Sequence, residues 1–301
     1  MRSITSCYNE HAVRISDSYC SGPSNQAYLC PKQSLSVRES ITCTYRVNVS
    51  SQKQILITLN WTKKLTGQGF SIAISNTNST SHANSMQLGK NKGNETFQIH
   101  DFKIQVQWDL SDAKYDSGPE PASGFYVIVH VDSELGLRLG DKEEESSGEV
   151  KAGMAGANSS MVCRRERFSG GNIYSTKAQF CETGAVHEIV IKWVMGEEGS
   201  RSKGHVLCVS IDKKTILEVK RVRWNFRGNQ AIFLDGLLVD MMWDVHDWLF
   251  KASNRSAVFM FRTRSGMDSR LWLEEKTIGA LKDPHRIGFS LLLCACNDDP
   301  D

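Results

Sequence analysis

The sequence predicts an all-β protein, a β-sandwich-like fold made of two related antiparallel halves with few and short helices. Apolar residues alternate with polar ones along short segments, as from Ile55 to Trp61. This two-residue period is typical of strands with one buried face. No segment keeps a 3.6-residue period, so long helices are not expected. A third observation is that Trp-Asp recurs at the end of a predicted strand in each half, at Trp108 and Trp243.

Composition places the chain among ordinary folded proteins. It has 301 residues, of which 40% are hydrophobic and 23% charged, enough apolar material for one large or two small domains. The formal net charge is +2, which gives no strong general attraction to nucleic acid or anionic membranes. Either partner would need a local basic patch.

Targeting signals and cysteine usage suggest an intracellular protein, either cytoplasmic or nuclear. Residues 1–13 contain no apolar stretch of the kind found in signal peptides, and no window reaches the ~18 apolar residues of a membrane span. The nine cysteines are expected to be reduced and mostly buried. Their spacing matches no zinc pattern, so neither a metal nor a cofactor is expected.

The strand pattern divides the chain into five parts. We expect a flexible N-terminal lead-in at 1–40, a first β half at 41–140, an acidic and Gly/Ala/Ser-rich linker at 141–162, a second β half at 163–276, and a C-terminal strand and tail at 277–301. The linker is assigned from Glu143-Glu144-Glu145 and the small residues that follow.

Predicted strands of the first half follow from alternation and from Gly, Asn and Ser breakers between the segments. They are Thr42–Val49, Ile55–Trp61, Phe70–Ile74, Met86–Leu88, Thr96–Ile99, Phe102–Trp108, Phe125–Val131 and Leu135–Leu139. The stretch from Phe125 to Val131 is apolar on both faces, which predicts a central strand.

The second half is assigned in the same way. Its predicted strands are Ile173–Phe180, Glu188–Val194, His205–Ile211, Thr215–Trp224, Ala231–Leu234, Leu237–Trp243, Ala257–Thr263, Leu271–Glu274 and, near the C-terminus, Phe289–Cys296. Asp212-Lys213-Lys214 predicts a tight hairpin turn.

An internal duplication is predicted from matches at a nearly constant offset. Trp108 and Trp243 are 135 residues apart, and at the same offset Gly93 falls on Gly228. Upstream, the strand ending at Trp61 matches the one ending at Trp193 at an offset of 132. There His187 stands where Ile55 would. Two such halves bury their apolar faces most simply as packed β-units.

The repeated corner at 108–112 and 243–247 has two interpretations. In the structural one, each Trp lies in the core, the following Asp is a helix N-cap, and the second Asp lies at N3 near the positive helix end. The residues with these structural roles are Trp108, Asp109, Asp112, Trp243, Asp244 and Asp247. In the alternative, Asp244, His246 and Asp247 form a hydrolase-like acid/base site. Ser111 stands at the position of His246, so whether His246 adds a function stays open.

A basic and aromatic segment, 220–227, is a second candidate site. Its arginines Arg221, Arg223 and Arg227 could bind a phosphate-bearing ligand while Trp224 or Phe226 stacks on bases. The other interpretation is an amphipathic strand with a β-bulge near Lys220-Arg221, both rings in the core and the arginines in solvent.

Several of these segments together resemble a plant-specific family known only as domain of unknown function 868. They are Tyr174–Phe180, Phe226–Gln230, Val239–Phe250, Trp108–Lys114 and Ser117–Pro121, and the resemblance covers roughly residues 40 to 275. It implies a plant source and a soluble intracellular protein. It carries no activity, ligand or catalytic residue.

The function expected from the sequence is a non-catalytic binding or interaction module, with a protein as the most plausible partner. The basis is the complete structural account of the acidic corner and the lack of a convergent nucleophile and base. The alternatives are the hydrolase-like enzyme and nucleic-acid binding along 220–227. The net charge makes nucleic acid the weaker of the two.

Overall fold

The computed structural model describes residues 34–50, 54–64, 67–76, 84–99, 102–143, 158–195, 205–264 and 288–297. Residues 1–33, most of the predicted linker and the predicted strand Leu271–Glu274 lie outside this part. The described residues form strands almost throughout, with one short helix, α1, at His246–Phe250. This confirms the all-β prediction.

The first half contains the eight strands predicted from alternation and, between the sixth and seventh of them, two short strands that were not predicted. They are β1 (Val37–Asn48), β2 (Gln54–Lys64), β3 (Gly67–Asn76), β4 (Asn84–Leu88), β5 (Lys92–Ile99), β6 (Phe102–Asp109), β7 (Lys114–Tyr115), β8 (Pro121–Ser123), β9 (Tyr126–Val131) and β10 (Glu134–Gly140). β1 begins at Val37, so the last residues of the predicted lead-in belong to a sheet.

Within its described residues, the second half contributes nine further strands. They are β11 (Asn158–Ser169), β12 (Ile173–Gln179), β13 (Val186–Met195), β14 (His205–Ile211), β15 (Lys214–Val219), β16 (Arg227–Leu234), β17 (Leu237–Asp244), β18 (Arg255–Thr263) and β19 (Ser290–Asn297). β11 begins inside the segment predicted as a linker and was missed by the sequence analysis. The five-part division of the chain otherwise stays a prediction.

One long sheet runs through both halves. Its nine strands have the order β16-β17-β18-β19-β11-β1-β2-β3-β4. A four-stranded sheet, β10-β9-β6-β5, belongs to the first half, and another, β12-β13-β14-β15, to the second. β11 pairs antiparallel with β1 and parallel with β19. It is therefore the strand that joins the two halves of the long sheet.

Two separate cores show that each half is a sandwich. One contains buried side chains of β1–β6, β9 and β10, including Trp61 and Trp108. The other contains side chains of β12–β19 and Phe168 of β11. Met161 of β11 packs at the edge of both cores. The molecule thus consists of two β-sandwiches that share one continuous sheet.

The strand orders of the two halves correspond. β1-β2-β3-β4 matches β12-β13-β14-β15, and β10-β9-β6-β5 matches β19-β18-β17-β16. β5 and β16, like β6 and β17, lie 135 residues apart at both of their ends. This agreement supports the predicted duplication, whose origin from one ancestral sequence stays a prediction.

A buried ion-pair network on β11 holds the junction between the sandwiches. Glu166 is fully buried, and its Oε1 accepts bonds from Arg164 Nε at 2.6 Å and Thr176 Oγ1 at 2.8 Å. Its Oε2 lies 3.1 Å from Arg38 Nε, an ion pair too oblique for a hydrogen bond. Arg164 Nη2 also donates to Glu120 Oε2 at 2.7 Å. The network therefore joins β1, β11, β12 and the bend before β8.

We predict that Glu166→Gln lowers the free energy of unfolding by about 3–5 kcal/mol, because removing one partner leaves buried charge without compensation. Glu39→Gln is the matched control. Glu39 pairs with Arg167 at 3.3 Å between two exposed side chains, and such pairs contribute less than about 1 kcal/mol. Urea unfolding of both variants measures the difference, and equal losses would contradict the assignment of the network as a lock.

Candidate functional site

The corner of the second half lies where β17 ends and α1 begins. Trp243 Nε1 donates to the carbonyl of Asn225 at 3.0 Å. Asp244 Oδ1 accepts the N–H of His246 at 3.1 Å, and its Oδ2 accepts from Arg227 Nε at 2.8 Å. The corner thus binds three separate points of the chain around one Trp-Asp pair.

The corner of the first half makes the same bonds. Trp108 Nε1 donates to the carbonyl of Lys90 at 2.9 Å. Asp109 Oδ1 accepts the N–H of Ser111 at 3.0 Å, and its Oδ2 lies 3.3 Å from Lys92 Nζ. Each partner lies 135 positions before its counterpart. The corner is therefore a repeated structural unit.

The two aspartates differ in burial. Asp109 is buried and also accepts from Lys142 Nζ at 2.9 Å, a lysine shared with Asp112 at 2.7 Å. Burial raises the pKa of Asp109, but the Ser111 N–H and the lysines outweigh this and hold the pKa well below its usual range. The side chain of Asp244 is 46% exposed, so the second corner faces solvent.

The cap assignments are corrected by the structure. The N-cap of α1 is Val245 and makes no side-chain cap bond. Asp244 instead accepts from the residue two positions on, as in an Asx turn. Asp247 lies in the first turn of α1 and binds His246 Nδ1 at 3.0 Å and Lys251 Nζ at 2.6 Å. These two partners lower the pKa of Asp247.

The basic and aromatic segment is a turn, in contrast to the predicted strand. β15 ends at Val219, and Arg221 has a φ of +54° that reverses the chain. The N–H of Trp224 donates to the carbonyl of Arg221 at 2.8 Å. Val222 takes the core position at 1% exposure while Trp224 is 84% exposed. The prediction that Trp224 lies in the core was therefore wrong, because the turn breaks the two-residue alternation. We call residues 220–226 the Trp224 turn.

The two candidate sites form one surface. Phe226 is half-buried, and its ring lies 5.3 Å from that of His246 and 5.8 Å from that of Phe250. Arg227 stacks on Phe226 at 5.6 Å while it pairs with Asp244. The acidic corner and the arginines were predicted as separate sites, whereas Arg227 joins them.

The first corner is built without an exposed aromatic residue. Gly89 stands 135 positions before Trp224, and the carbonyl of the next residue, Lys90, still accepts from Trp108. An exposed ring at this place is therefore not needed to form the corner. Arg221 and Arg223 are exposed, and neither makes an ion pair within the described part of the chain. The Trp224 turn thus carries an aromatic ring and two free cations that the corner does not use.

Two clefts at the junction of the sandwiches were not found by sequence reasoning. The smaller one, of about 380 Å³, is lined by Arg38, Glu120, Arg164, Ser175 and Lys177, among others. The larger one, of about 630 Å³, shares Arg164 and Lys177 and extends to Phe180, Asp235 and Phe289. Two segments that carry the family resemblance, 117–121 and 174–180, lie on their walls. Asp244, His246 and Asp247 line neither cleft.

His187 forms a second charged cluster that the sequence showed only as a poor match to Ile55. Its Nδ1 lies 2.6 Å from Asp212 Oδ2 and its Nε2 lies 3.0 Å from Asp235 Oδ2. Asp212 follows β14 and Asp235 follows β16, so His187 bridges the two sheets of the second sandwich. Asp212, followed by Asp235, raises the pKa of His187. No group of three metal-ligating side chains is placed to hold an ion among the described residues.

Comparison with known families agrees with the resemblance found in the sequence. The model of the family described as plant protein of unknown function (DUF868) matches residues 36–297. The chain belongs to this family. The DUF868 match runs from β1 to β19, so both sandwiches are part of the family's unit. No curated protein and no solved structure matches the chain. No helix of the described residues is long and apolar enough to cross a membrane.

We predict that Gly93→Ala and Gly228→Ala each lower the free energy of unfolding by about 1–3 kcal/mol. A methyl group at either position would enter the ring of the facing tryptophan, Trp108 or Trp243. Gly89→Ala is the control, because a methyl group there meets nothing within 4 Å. Denaturant unfolding compares the three variants. A Gly93→Ala protein as stable as the control would contradict the close approach.

We also predict that stability depends on pH through His187. Because folding raises the pKa of His187, its protonation stabilises the folded state, and this contribution is complete at pH values below the ordinary pKa of 6.5. The contribution is lost as the pH rises through the pKa of the folded state. Melting temperatures measured upward from pH 6.5 should fall more in the wild type than in His187→Gln, whose amide cannot titrate. Parallel curves for the two proteins would show that the charge of His187 does not hold the sheets together.

Proposed function

We propose that this DUF868 protein is a non-catalytic interaction module that binds a partner protein at the Trp224 turn. The observation that carries the proposal is the 84% exposure of Trp224 on a turn whose counterpart has Gly89. Aromatic side chains carry a large apolar area and dominate the energetics of protein interfaces, where Trp is enriched. Trp and Arg are also the side chains that most often dominate binding energy at interfaces.

The turn presents this ring on a fixed backbone. Val222 anchors it in the core of the second sandwich, and the Asn225 side chain donates to the carbonyl of Lys220 at 3.2 Å. The Asn225 carbonyl accepts from Trp243. A surface that is ordered before binding loses less conformational entropy when a partner arrives. This rigidity supports a binding role.

The acidic corner supports a non-catalytic assignment. Asp244 is engaged by Arg227, and Asp247 by Lys251 and His246. Each carboxylate is therefore neutralised by a nearby cation. Asp244, His246 and Asp247 also lie outside the two clefts. A hydrolase-like site would instead need a carboxylate or imidazole aimed into a cleft that excludes water.

Single-stranded nucleic acid is the second candidate ligand, and the exposure of Trp224 beside Arg221 and Arg223 is the observation that favours it. Binding of this kind uses several rings on which successive bases stack, along a basic groove. Phe226 is already packed between His246 and Phe250, which leaves Trp224 as the one free ring within the basic segment 220–227. The protein partner is therefore the better supported of the two.

We predict that Trp224→Gly removes partner binding without loss of fold. The tagged wild type, Trp224→Gly and the control Leu35→Ser, which removes a side chain 75% exposed elsewhere, are purified from plant tissue and compared by quantitative mass spectrometry. Loss of a hot-spot ring costs about 2 kcal/mol or more, so a direct partner should fall at least about 30-fold with Trp224→Gly and stay unchanged with Leu35→Ser. Equal recovery in all three samples contradicts the proposal.

Nucleic acid is tested separately with a fluorescent uridine oligomer. Binding that falls steeply with salt and is lost in Trp224→Gly would replace the protein partner by a single strand. Salt-independent or absent binding leaves the protein partner as the ligand of the turn.

A further inference from the structure

The edge strand β16 begins directly after the Trp224 turn. It is the last strand of the nine-stranded sheet and pairs with β17 on one side; within the described residues no strand pairs with its other side. All eight residues from Arg227 to Leu234 pair with β17 without a register shift. β16 is therefore a regular strand with one open edge.

The free backbone groups of this edge can be identified from the bond pattern. The carbonyl of Phe226 accepts from the N–H of Val245, the residue that follows β17. The backbone N–H and C=O of residue 226 therefore point toward the β17 side. Backbone direction alternates along a strand. The N–H and C=O groups that point to the open edge are therefore those of Arg227, Asn229, Ala231 and Phe233. Their side chains are all exposed.

Natural sheets protect such edges with charges, proline, bulges or short length. β16 reads Arg-Gly-Asn-Gln-Ala-Ile-Phe-Leu, with no proline and one charge, at its first residue. Its counterpart β5 reads Lys-Gly-Asn-Glu-Thr-Phe-Gln-Ile. β5 is also an edge strand, but it carries Glu95 in its middle. Among the described strands, only the second half leaves an edge of this length without a charge in its middle.

Exposed aromatic side chains lie at both ends of the open edge. Phe233 is 78% exposed near the end of β16, and Trp224 is 84% exposed just before its start. At the matching positions the first half has Gln98 and Gly89. Between the rings, Asn229 and Ala231 are small and leave room for the side chains of a neighbouring strand.

We infer that β16 binds an additional strand, contributed by an extended acidic segment of a partner protein. This inference rests on the proposed function and names its mode of binding. A row of free N–H and C=O groups is complementary to another extended backbone. Arg221 and Arg223 favour acidic residues at the end of the segment that lies beside the Trp224 turn. The distance from Trp224 to Phe233 corresponds to about 8–10 residues of extended chain at ~3.3 Å per residue.

The decisive variant is Ala231→Pro. Proline removes an N–H, and the N–H of Ala231 points to the open edge, so no bond to β17 is lost. Thr96→Pro is the matched control, because Thr96 lies 135 positions earlier on β5. The N–H of Leu110 donates to the carbonyl of Asn91, so the backbone groups of residue 91 point toward β6. Because backbone direction alternates along the strand, the N–H of Thr96 points to the open edge of β5. Circular dichroism and melting temperature establish that both variants are folded.

The probe is a display library of linear peptides about 10 residues long, selected on the full-length wild type. Enriched peptides should carry acidic residues and bind Ala231→Pro at least about 10-fold more weakly than wild type and Thr96→Pro. In amide hydrogen exchange of the wild type, a bound peptide should protect Asn229, Ala231 and Phe233. This second measurement keeps the test decisive if Ala231→Pro fails to fold.

Three outcomes overturn the inference. The first is that no peptide is enriched. In the second, peptides bind Ala231→Pro as well as wild type and leave those amides unprotected. The third is a wild-type dimer in solution that Ala231→Pro dissociates and Thr96→Pro does not, which would make a second copy of this chain the occupant. Peptides that need Trp224 but ignore Ala231 would refute strand addition while leaving the proposed function intact.

Discussion

The carboxylate of Glu166 is the interaction on which the architecture depends. A sandwich buries one face of each sheet, so two sandwiches in one chain need no contact with each other. Here β11 fuses them into one sheet and places a carboxylate where both meet. A buried charge must be paired and hydrogen-bonded to offset its loss of hydration. The partners of Glu166 come from three strands and are Arg164, Arg38 and Thr176. Any displacement of one sandwich would break this set, so the network fixes the geometry of the junction.

The sequence predicted the strands well wherever one face of a strand meets a core and the other meets water. The sequence did not predict β11, because this strand buries charged side chains and does not alternate between apolar and polar residues. A run of charges such as that at residues 164–167 usually lies in solvent, whereas Glu166 is buried among partners that lie far away in the sequence. Strand order across the nine-stranded sheet is equally non-local. Alternation gives the faces of a strand and leaves its neighbours undetermined.

Prediction of the candidate site from the sequence was limited in the same way, by contacts between residues far apart in the chain. The Trp-Asp corner was recognisable because its residues recur at one offset. The side of the chain on which Trp224 lies depends on one backbone angle at Arg221, and a positive φ at an arginine has no sequence signal. The pairing of Arg227 with Asp244 likewise needed the register of β16 on β17. Local chemistry was therefore predictable, and its assembly into one surface was not.

The two halves of the molecule act as controls for each other. Where both make the same bond, as at Asp109 and Asp244, the residue is explained by the fold. Where only one departs from the pattern, the fold gives no reason for the departure. Trp224, just before β16, and Phe233, near the end of β16, are such departures. The opposite end of the same sheet is β4, a strand of five residues, and short edges are protected by their length. One end of the shared sheet is thus protected by its short edge strand, while the other, among the described residues, combines a long regular edge with two exposed rings. Since an unprotected edge risks aggregation, retaining both features at one end is best explained by a strand that covers them.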